Sequence, residues 1–196
     1  MSKSSTFHKI FLKHTIGGSM SSQKVIGIIG FNPTDKKIEE KIATQARKAS
    51  RELGLSRSFK AIIAPTTSAE QIAEAVHASE ISYADYLGIP RKISKMAKGL
   101  LQNAGRVSDT MLVRDIINHP HFDELAILGH NLQTAISLHD NKDTLFVAPN
   151  INALIASILG QNNGVLHMAH RLVPKPGRIT VFRATANGLL TPISLA

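Results

Sequence analysis

Three apolar runs of this sequence end in polar side chains that could bind or transform a small molecule. Asn32 follows the run KVIGIIGF, and Asn150 follows TLFVAP. His130 and Thr134 follow a third run, ELAILG. Because the pKa of histidine lies near neutrality, His130 could act as a general base or orient a hydroxyl. The alternative is a turn histidine that is bonded only to backbone.

The segment GFNPTD precedes a predicted helix, so Asn32, Thr34 and Asp35 could surround a helix N-terminus. Backbone N–H groups and the helix dipole favour an anion at such a position. Thr34 or Asp35 could equally serve as an ordinary helix cap. The sequence contains neither GxGxxG nor GxxxxGK[ST], which argues against dinucleotide and P-loop sites.

Metal and thiol chemistry are disfavoured by the residue types. The chain contains no cysteine, which excludes a disulfide framework, a thiolate zinc site and a cysteine nucleophile. His167 and His170 lie at and just after a predicted strand, where alternation would send their imidazoles to opposite faces. We therefore predict no metal site and no cofactor.

The chain is basic, with a net charge of +9 over 196 residues. Such a surface attracts phosphorylated metabolites, nucleic acid or acidic partners. Aromatic residues make up 5% and tryptophan is absent, so no stacking platform for single-stranded nucleic acid is indicated. Two basic groups could bind phosphate or simply form solvated faces: Arg91, Lys92, Lys95 and Lys98, and Arg171, Lys175, Arg178 and Arg183.

Apolar patterning predicts an α/β fold in which strands alternate with helices. The predicted strands are 24–30, 59–65, 124–129, 144–149, 164–169 and 178–183. Residues 80–90 are predicted to be a loop or a short turn. Continuous apolar strands are typical of a parallel sheet that is buried on both faces, so we predict a Rossmann-like three-layer sandwich with a mostly parallel sheet. Ligands of such sheets bind beyond the carboxyl ends of the strands.

The length suits one domain. We predict a flexible or targeting segment over residues 1–22 and a single α/β domain over 23–196. No apolar run is long enough to span a membrane, and the segment MSKSSTFHKIFLKHTIGG could address the chain to an organelle. The prediction is therefore a cytoplasmic or mitochondrial protein.

The run ILGHNLQTAISLHDNK resembles the strand-loop-helix of the type B ribose-5-phosphate isomerase and galactose-6-phosphate isomerase family. SYADY (82–86) is similar to that family's Asp-Tyr-Pro-Asp-Tyr motif. QNNGVLHMAHRLV (161–173) is similar to its His-Asn-x-x-Asn-Val-Leu-x-x-Gly-x-Arg-Val block, and IGIIGFNPTD to its first strand and Asp-His-x-Gly loop. The order of these motifs is colinear over residues 24–173.

This resemblance implies a homodimeric sugar-phosphate isomerase that interconverts aldose and ketose through an enediolate. A side chain moves the proton, loop N–H groups hold the oxyanion, and arginines bind the phosphate. In this chain the catalytic positions would be His130 and Asn32. The substrate-binding positions would be Thr134, Asn150, Asn162 and Arg171. His130 occupies the position of the family's loop cysteine. The chain could therefore be a family member that keeps catalysis or one that has lost it.

Two alternatives from other classes remain. The chain could be a non-catalytic basic subunit that binds nucleic acid or an acidic protein. NPTDKKIEEKI and INALIASILGQNNGVLH also resemble segments of the aspartate/glutamate racemase superfamily, although that chemistry requires two cysteines. An isomerase-like site requires Asn32, His130 and Asn150 to converge on one concave pocket.

Overall fold

The computed structural model describes residues 24–32, 38–139, 143–161, 165–175, 177–185 and 188–195. Six strands form one sheet in the order β3-β2-β4-β1-β5-β6. The four strands β3, β2, β4 and β1 run parallel, and β5 and β6 pair antiparallel at the other side. The strands are β1 (Ile26–Phe31), β2 (Lys60–Ile63), β3 (Glu80–Tyr83), β4 (Thr144–Pro149), β5 (Thr180–Ala184) and β6 (Leu190–Pro192).

Seven helices in the described residues cover this sheet and complete a three-layer α/β sandwich. They are α1 (Glu40–Leu53), α2 (Thr67–Ala75), α3 (Arg91–Gln102), α4 (Asp109–Ile117), α5 (Phe122–Leu138), α6 (Asn150–Gly160) and α7 (Ala169–Leu172). Helix α1 packs on α2, and α5 packs on α6. The predicted fold class, an α/β sandwich with a mostly parallel sheet, is confirmed.

The two central strands form because their sequences are apolar throughout. Every residue of β1 and of β4 is buried, as expected for parallel strands that are covered by helices on both faces. Helix α1 instead buries one face, with Ile42, Ala46 and Ala49 turned inward. The predictions of strands near 24–30, 59–65, 144–149 and 178–183 are confirmed, with the bounds given above.

The predicted strand at 124–129 is wrong, because these residues belong to the 17-residue helix α5. Leu125, Leu128, Leu132 and Ile136 are buried at intervals of three or four residues, which is the helical period. Ile127, in the middle of the apolar run, is 48% exposed. The run is therefore one side of a longer amphipathic helix rather than a buried strand.

The predicted strand at 164–169 is also wrong. The described residues from Val165 to Met168 form turns, and the short helix α7 follows. Residues 80–83, expected to be a loop, form the edge strand β3, and β6 was not anticipated. Both strands are short and partly exposed, so their sequences carry little hydrophobic pattern.

No helix in the described ranges is long and apolar enough to cross a membrane. The core lies mainly between the sheet and the buried faces of these helices. Phe31, Phe146 and Phe182 are among its largest fully buried side chains. They lie on three neighbouring strands, β1, β4 and β5, so the aromatic part of the core is centred on the middle of the sheet.

A glycine sets the distance between α5 and α6. A Cβ added at Gly129 would lie 2.7 Å from the backbone N of Ala156 and 2.8 Å from Cδ1 of Leu159. Backbone cannot yield cheaply, so we expect Gly129→Ala to lower the free energy of unfolding by about 1–3 kcal/mol. Urea unfolding followed by circular dichroism measures this loss.

Gly99→Ala in α3 is the matched control, because an added Cβ there meets nothing within 4 Å. Higher helix propensity should make this variant about 0.5–1 kcal/mol more stable. Equal effects at the two positions would contradict the close packing of α5 on α6.

Candidate functional site

The carboxyl ends of β1 and β4 lie side by side at one edge of the sheet. These strands are parallel neighbours, and Phe31 is paired with Pro149. The next residues along the chain, Asn32 and Asn150, therefore lie at the same edge, and both line a cavity of about 70 Å³. We call it the strand-end cavity; it is also lined by Leu101, Ala104, Pro174 and Lys175.

Asn150 is the most informative residue of this cavity. It is 1% exposed and is the first residue of α6. Its Oδ1 accepts a hydrogen bond from Oγ1 of Thr180 at 2.7 Å. Its buried Nδ2 has no hydrogen-bond partner within the described part of the chain. A donor without an acceptor thus lies at the positive end of a helix dipole.

Gly30 makes this arrangement possible. A Cβ at position 30 would overlap the side-chain oxygens of both Thr180 and Asn150. The absence of a side chain lets β5 and the start of α6 approach β1 closely enough to form the Thr180–Asn150 hydrogen bond. Gly30 is therefore a packing requirement of the site.

A larger basic cleft adjoins the strand-end cavity. Its volume is about 370 Å³, and it lies between α1, α7 and the beginning of β5. Lys175 lines both spaces. We call it the basic cleft; its polar and charged lining residues are Lys41, Gln45, Lys48, His170, Arg171, Lys175, Arg178, Thr180 and Ser194.

The charges of the basic cleft are largely uncompensated. No acidic side chain lines it among the described residues. Lys175 pairs with Asp109, with Nζ and Oδ2 2.5 Å apart. The other four cations form no ion pair with a residue of the described ranges: Lys41, Lys48, Arg171 and Arg178. Such a lining favours an anionic ligand.

Gln45 connects the two walls of the basic cleft. Its Oε1 accepts a hydrogen bond from the backbone N–H of Ile179 at 3.3 Å, and its Nε2 donates to the carbonyl of Gly177 at 3.4 Å. These bonds tie α1 to the entry of β5. Lys41 and Lys48, one turn before and one turn after Gln45, are thereby placed on the same helix face.

The predicted site residues are only partly brought together. Asn32 and Asn150 share the strand-end cavity, and Arg171 lines the adjoining basic cleft. The strand end expected at His130 is wrong, because His130 and Thr134 are exposed residues within α5 and line neither space. Asn162 lies outside the described residues, as do Thr34 and Asp35.

The sequence interpretation missed Lys41 and Lys48. Their spacing with Gln45 on one face of α1 was the available signal, but a basic helix face is usually only solvated. Arg183, from the basic set, has a structural role: its Nη2 donates to the carbonyl of Leu53 at 3.1 Å at the end of α1. No cluster of three His, Asp or Glu side chains that could hold a metal occurs in the described ranges.

The described side chains of the strand-end cavity offer hydrogen-bond donors but no general base. The two amides are neutral and non-nucleophilic, and Phe31 at the end of β1 is apolar. Lys175 is a cation that is already hydrogen-bonded to Asp109. The strand-end cavity thus supplies hydrogen-bond donors, and the adjoining basic cleft supplies the positive charge. Phosphate binding uses both.

Comparison with solved structures identifies the fold. The chain is similar to Bacillus stearothermophilus YhfR, with a TM-score of 0.51 and 11% identity over 86% of this chain and 95% of that one. It is also similar to a phosphoserine phosphatase from Entamoeba histolytica in complex with 3-phosphoglyceric acid. That match has a TM-score of 0.50 and 14% identity, over 87% of this chain and 95% of that one.

No family model matches the sequence, and no curated protein matches it. At identities this low, the structural likeness shows a shared fold. The predicted membership of the ribose-5-phosphate isomerase type B family is wrong, because the fold matches that of a phosphatase. The predicted aldose-ketose isomerase function and its racemase-like alternative are wrong for the same reason. The segment that carried the isomerase resemblance lies largely in α5 rather than in a strand, loop and helix.

The Thr180–Asn150 hydrogen bond can be tested by substitution. Thr180→Val keeps the shape of the side chain but leaves the buried Oδ1 of Asn150 without its donor. We expect a loss of about 1–3 kcal/mol in the free energy of unfolding. Thr191→Val, on the exposed face of β6, is the control, and its effect should stay within about 0.5 kcal/mol. Similar losses in the two variants would contradict the role given to this bond.

Proposed function

We propose that this protein binds a phosphorylated small molecule without transforming it. The phosphoryl group would occupy the strand-end cavity, and the rest of the ligand would lie along the basic cleft. The observation that carries the proposal is a group of four cations in the cleft that form no ion pair with any described residue: Lys41, Lys48, Arg171 and Arg178. They lie next to the buried Nδ2 of Asn150, which has no hydrogen-bond partner among the described residues. Both features lie at the carboxyl edge of the sheet, where α/β proteins bind their ligands.

The chemistry of the lining supports phosphate over other ligands. Buried donors and helix N-termini stabilise phosphate oxygens, and arginine can bind two of them at once. Arg171 and Arg178 are available for this in the cleft. The similar phosphoserine phosphatase was solved with 3-phosphoglyceric acid, which supports small phosphate esters as the ligand class.

The proposal is for binding rather than turnover because of the residue types at the strand ends. Phosphoryl transfer requires a nucleophile or an activated water next to the phosphorus. Phe31, Asn32 and Asn150 supply neither. The predictions of a homodimer and of a nucleic-acid or acidic-protein partner remain predictions.

Calorimetric titration with 3-phosphoglycerate tests the proposal, with glycerate as the ligand that lacks phosphate. We expect only the phosphate ester to bind. Arg178→Gln should weaken binding at least tenfold, since a charge-assisted hydrogen bond contributes about 1.5–3 kcal/mol. Arg106→Gln, an exposed change outside the cleft, should leave affinity unchanged.

A phosphate-release assay on the same samples separates binding from catalysis. We expect release no faster than in a buffer blank. Release that depends on the protein and is lost in Arg178→Gln would overturn the non-catalytic part. Failure of phosphoserine, 3-phosphoglycerate and inorganic phosphate to bind would overturn the whole proposal.

A further inference from the structure

A third space lies away from the strand ends, between α3 and the turn that joins α4 to α5. Its volume is about 570 Å³, within the range of small-molecule sites. We call it the α3 groove; its lining includes Lys95, Met96, Gly99, His119, His121 and Glu124. None of these residues lines the strand-end cavity or the basic cleft.

Gly99 leaves the middle of the groove open. It is an exposed residue within a 12-residue helix, and an added Cβ would meet nothing within 4 Å. A glycine at such a position weakens the helix relative to alanine. No close packing, turn or left-handed backbone in the structure requires it. The gap above Gly99 is the space that a flat ligand would fill.

Three side chains around this gap suit an aromatic ring. The imidazoles of His119 and His121 have centroids 5.9 Å apart and are inclined at 45°. Nδ1 of His119 accepts a hydrogen bond from the backbone N–H of His121 at 3.1 Å, which holds the first ring in place. Met96 adds a flexible, polarizable thioether, and sulfur packs favourably against aromatic rings.

Among the described residues, one of the two lysines that line the groove has no acidic partner. Glu124 is already held by Lys92, with Nζ and Oε2 3.0 Å apart, and by Nδ1 of His121 at 3.0 Å from Oε1. The Lys92 ammonium chiefly, with help from His121, lowers the pKa of the Glu124 carboxyl. Lys95 forms no ion pair with any residue of the described ranges. A ligand with a single negative charge would complement it.

We propose that the α3 groove binds a small aromatic carboxylate. The ring lies over Gly99 between Met96 and the two imidazoles, and the carboxylate pairs with Lys95. A dianionic phosphate fits less well, because of the two lysines that line the groove only Lys95 is without an ion pair to a described residue. This site is independent of the phosphate ester site proposed above, and either proposal can fail without the other.

The test uses the full chain and 1-naphthoate as the probe. Saturation-transfer NMR reports contact with the ring, and the imidazole proton shifts of His119 and His121 give the affinity. The neutral 1-naphthamide and the non-aromatic cyclohexanecarboxylate are the matched ligands. We expect both to bind at least several-fold more weakly than 1-naphthoate.

Three variants locate the site. An added Cβ at Gly99 meets nothing within 4 Å, so Gly99→Leu should fill the open floor and weaken binding at least tenfold. Lys95→Gln should weaken binding about three- to fivefold, as expected for a solvent-exposed ion pair. Lys98→Gln, a neighbouring exposed lysine of α3 that does not line the groove, should leave binding unchanged.

The outcomes are decisive in each direction. Absence of binding up to millimolar 1-naphthoate, or unchanged binding in Gly99→Leu, would overturn the site. Equal binding of 1-naphthamide would overturn the role of Lys95, and equal binding of cyclohexanecarboxylate would overturn the aromatic class. Binding that is lost in Arg178→Gln instead would move the ligand to the basic cleft and also overturn the proposal.

Discussion

The parallel pairing of β1 with β4 is the constraint on which the candidate site depends. It brings together two strand ends that are far apart in the sequence and pairs Phe31 with Pro149. The register is fixed at the opposite end by Asp143, whose carboxylate accepts hydrogen bonds from the backbone N–H groups of Val25 at 2.8 Å and Ser56 at 3.2 Å. A slip of one residue would separate the two asparagines and turn every side chain of β1 to the other face.

Most strands of this sheet could be predicted from apolar runs. The five apolar residues LAILG, however, did not suffice to distinguish helix α5 from a strand. LAILG fits a buried strand when it is considered alone, and only the spacing of buried residues through Ile136 reveals the helix. The meeting of Asn32 with Asn150 followed from the general behaviour of parallel sheets. The basic cleft did not follow, because it combines Lys41 and Lys48 with Arg171 and Arg178, and no local pattern connects these segments.

Two features of the strand-end edge, a buried amide donor and neighbouring cations, lower the stability of the folded state. Within the described ranges, the buried Nδ2 of Asn150 has no acceptor and Arg171 and Arg178 have no acidic partner. An unsatisfied buried donor costs about 1–3 kcal/mol, and neighbouring cations repel one another. Both costs would be relieved by an anion that accepts from Asn150 and lies against Arg171 and Arg178. Binding of the proposed anion would therefore raise the free energy of unfolding, as for any ligand that binds only the folded state.

The outermost parallel strand, β3, has a consequence for the behaviour of the chain at high concentration. Its four residues are exposed or half-buried, and Glu80 forms an ion pair with Lys60 of the adjacent strand, with Oε1 and Nζ 2.6 Å apart. An unpaired strand edge is a template for another chain, and short, charged edges oppose that templating. The polar residues of β3 gave no strand pattern in the sequence. The same residues oppose aggregation at this edge of the sheet.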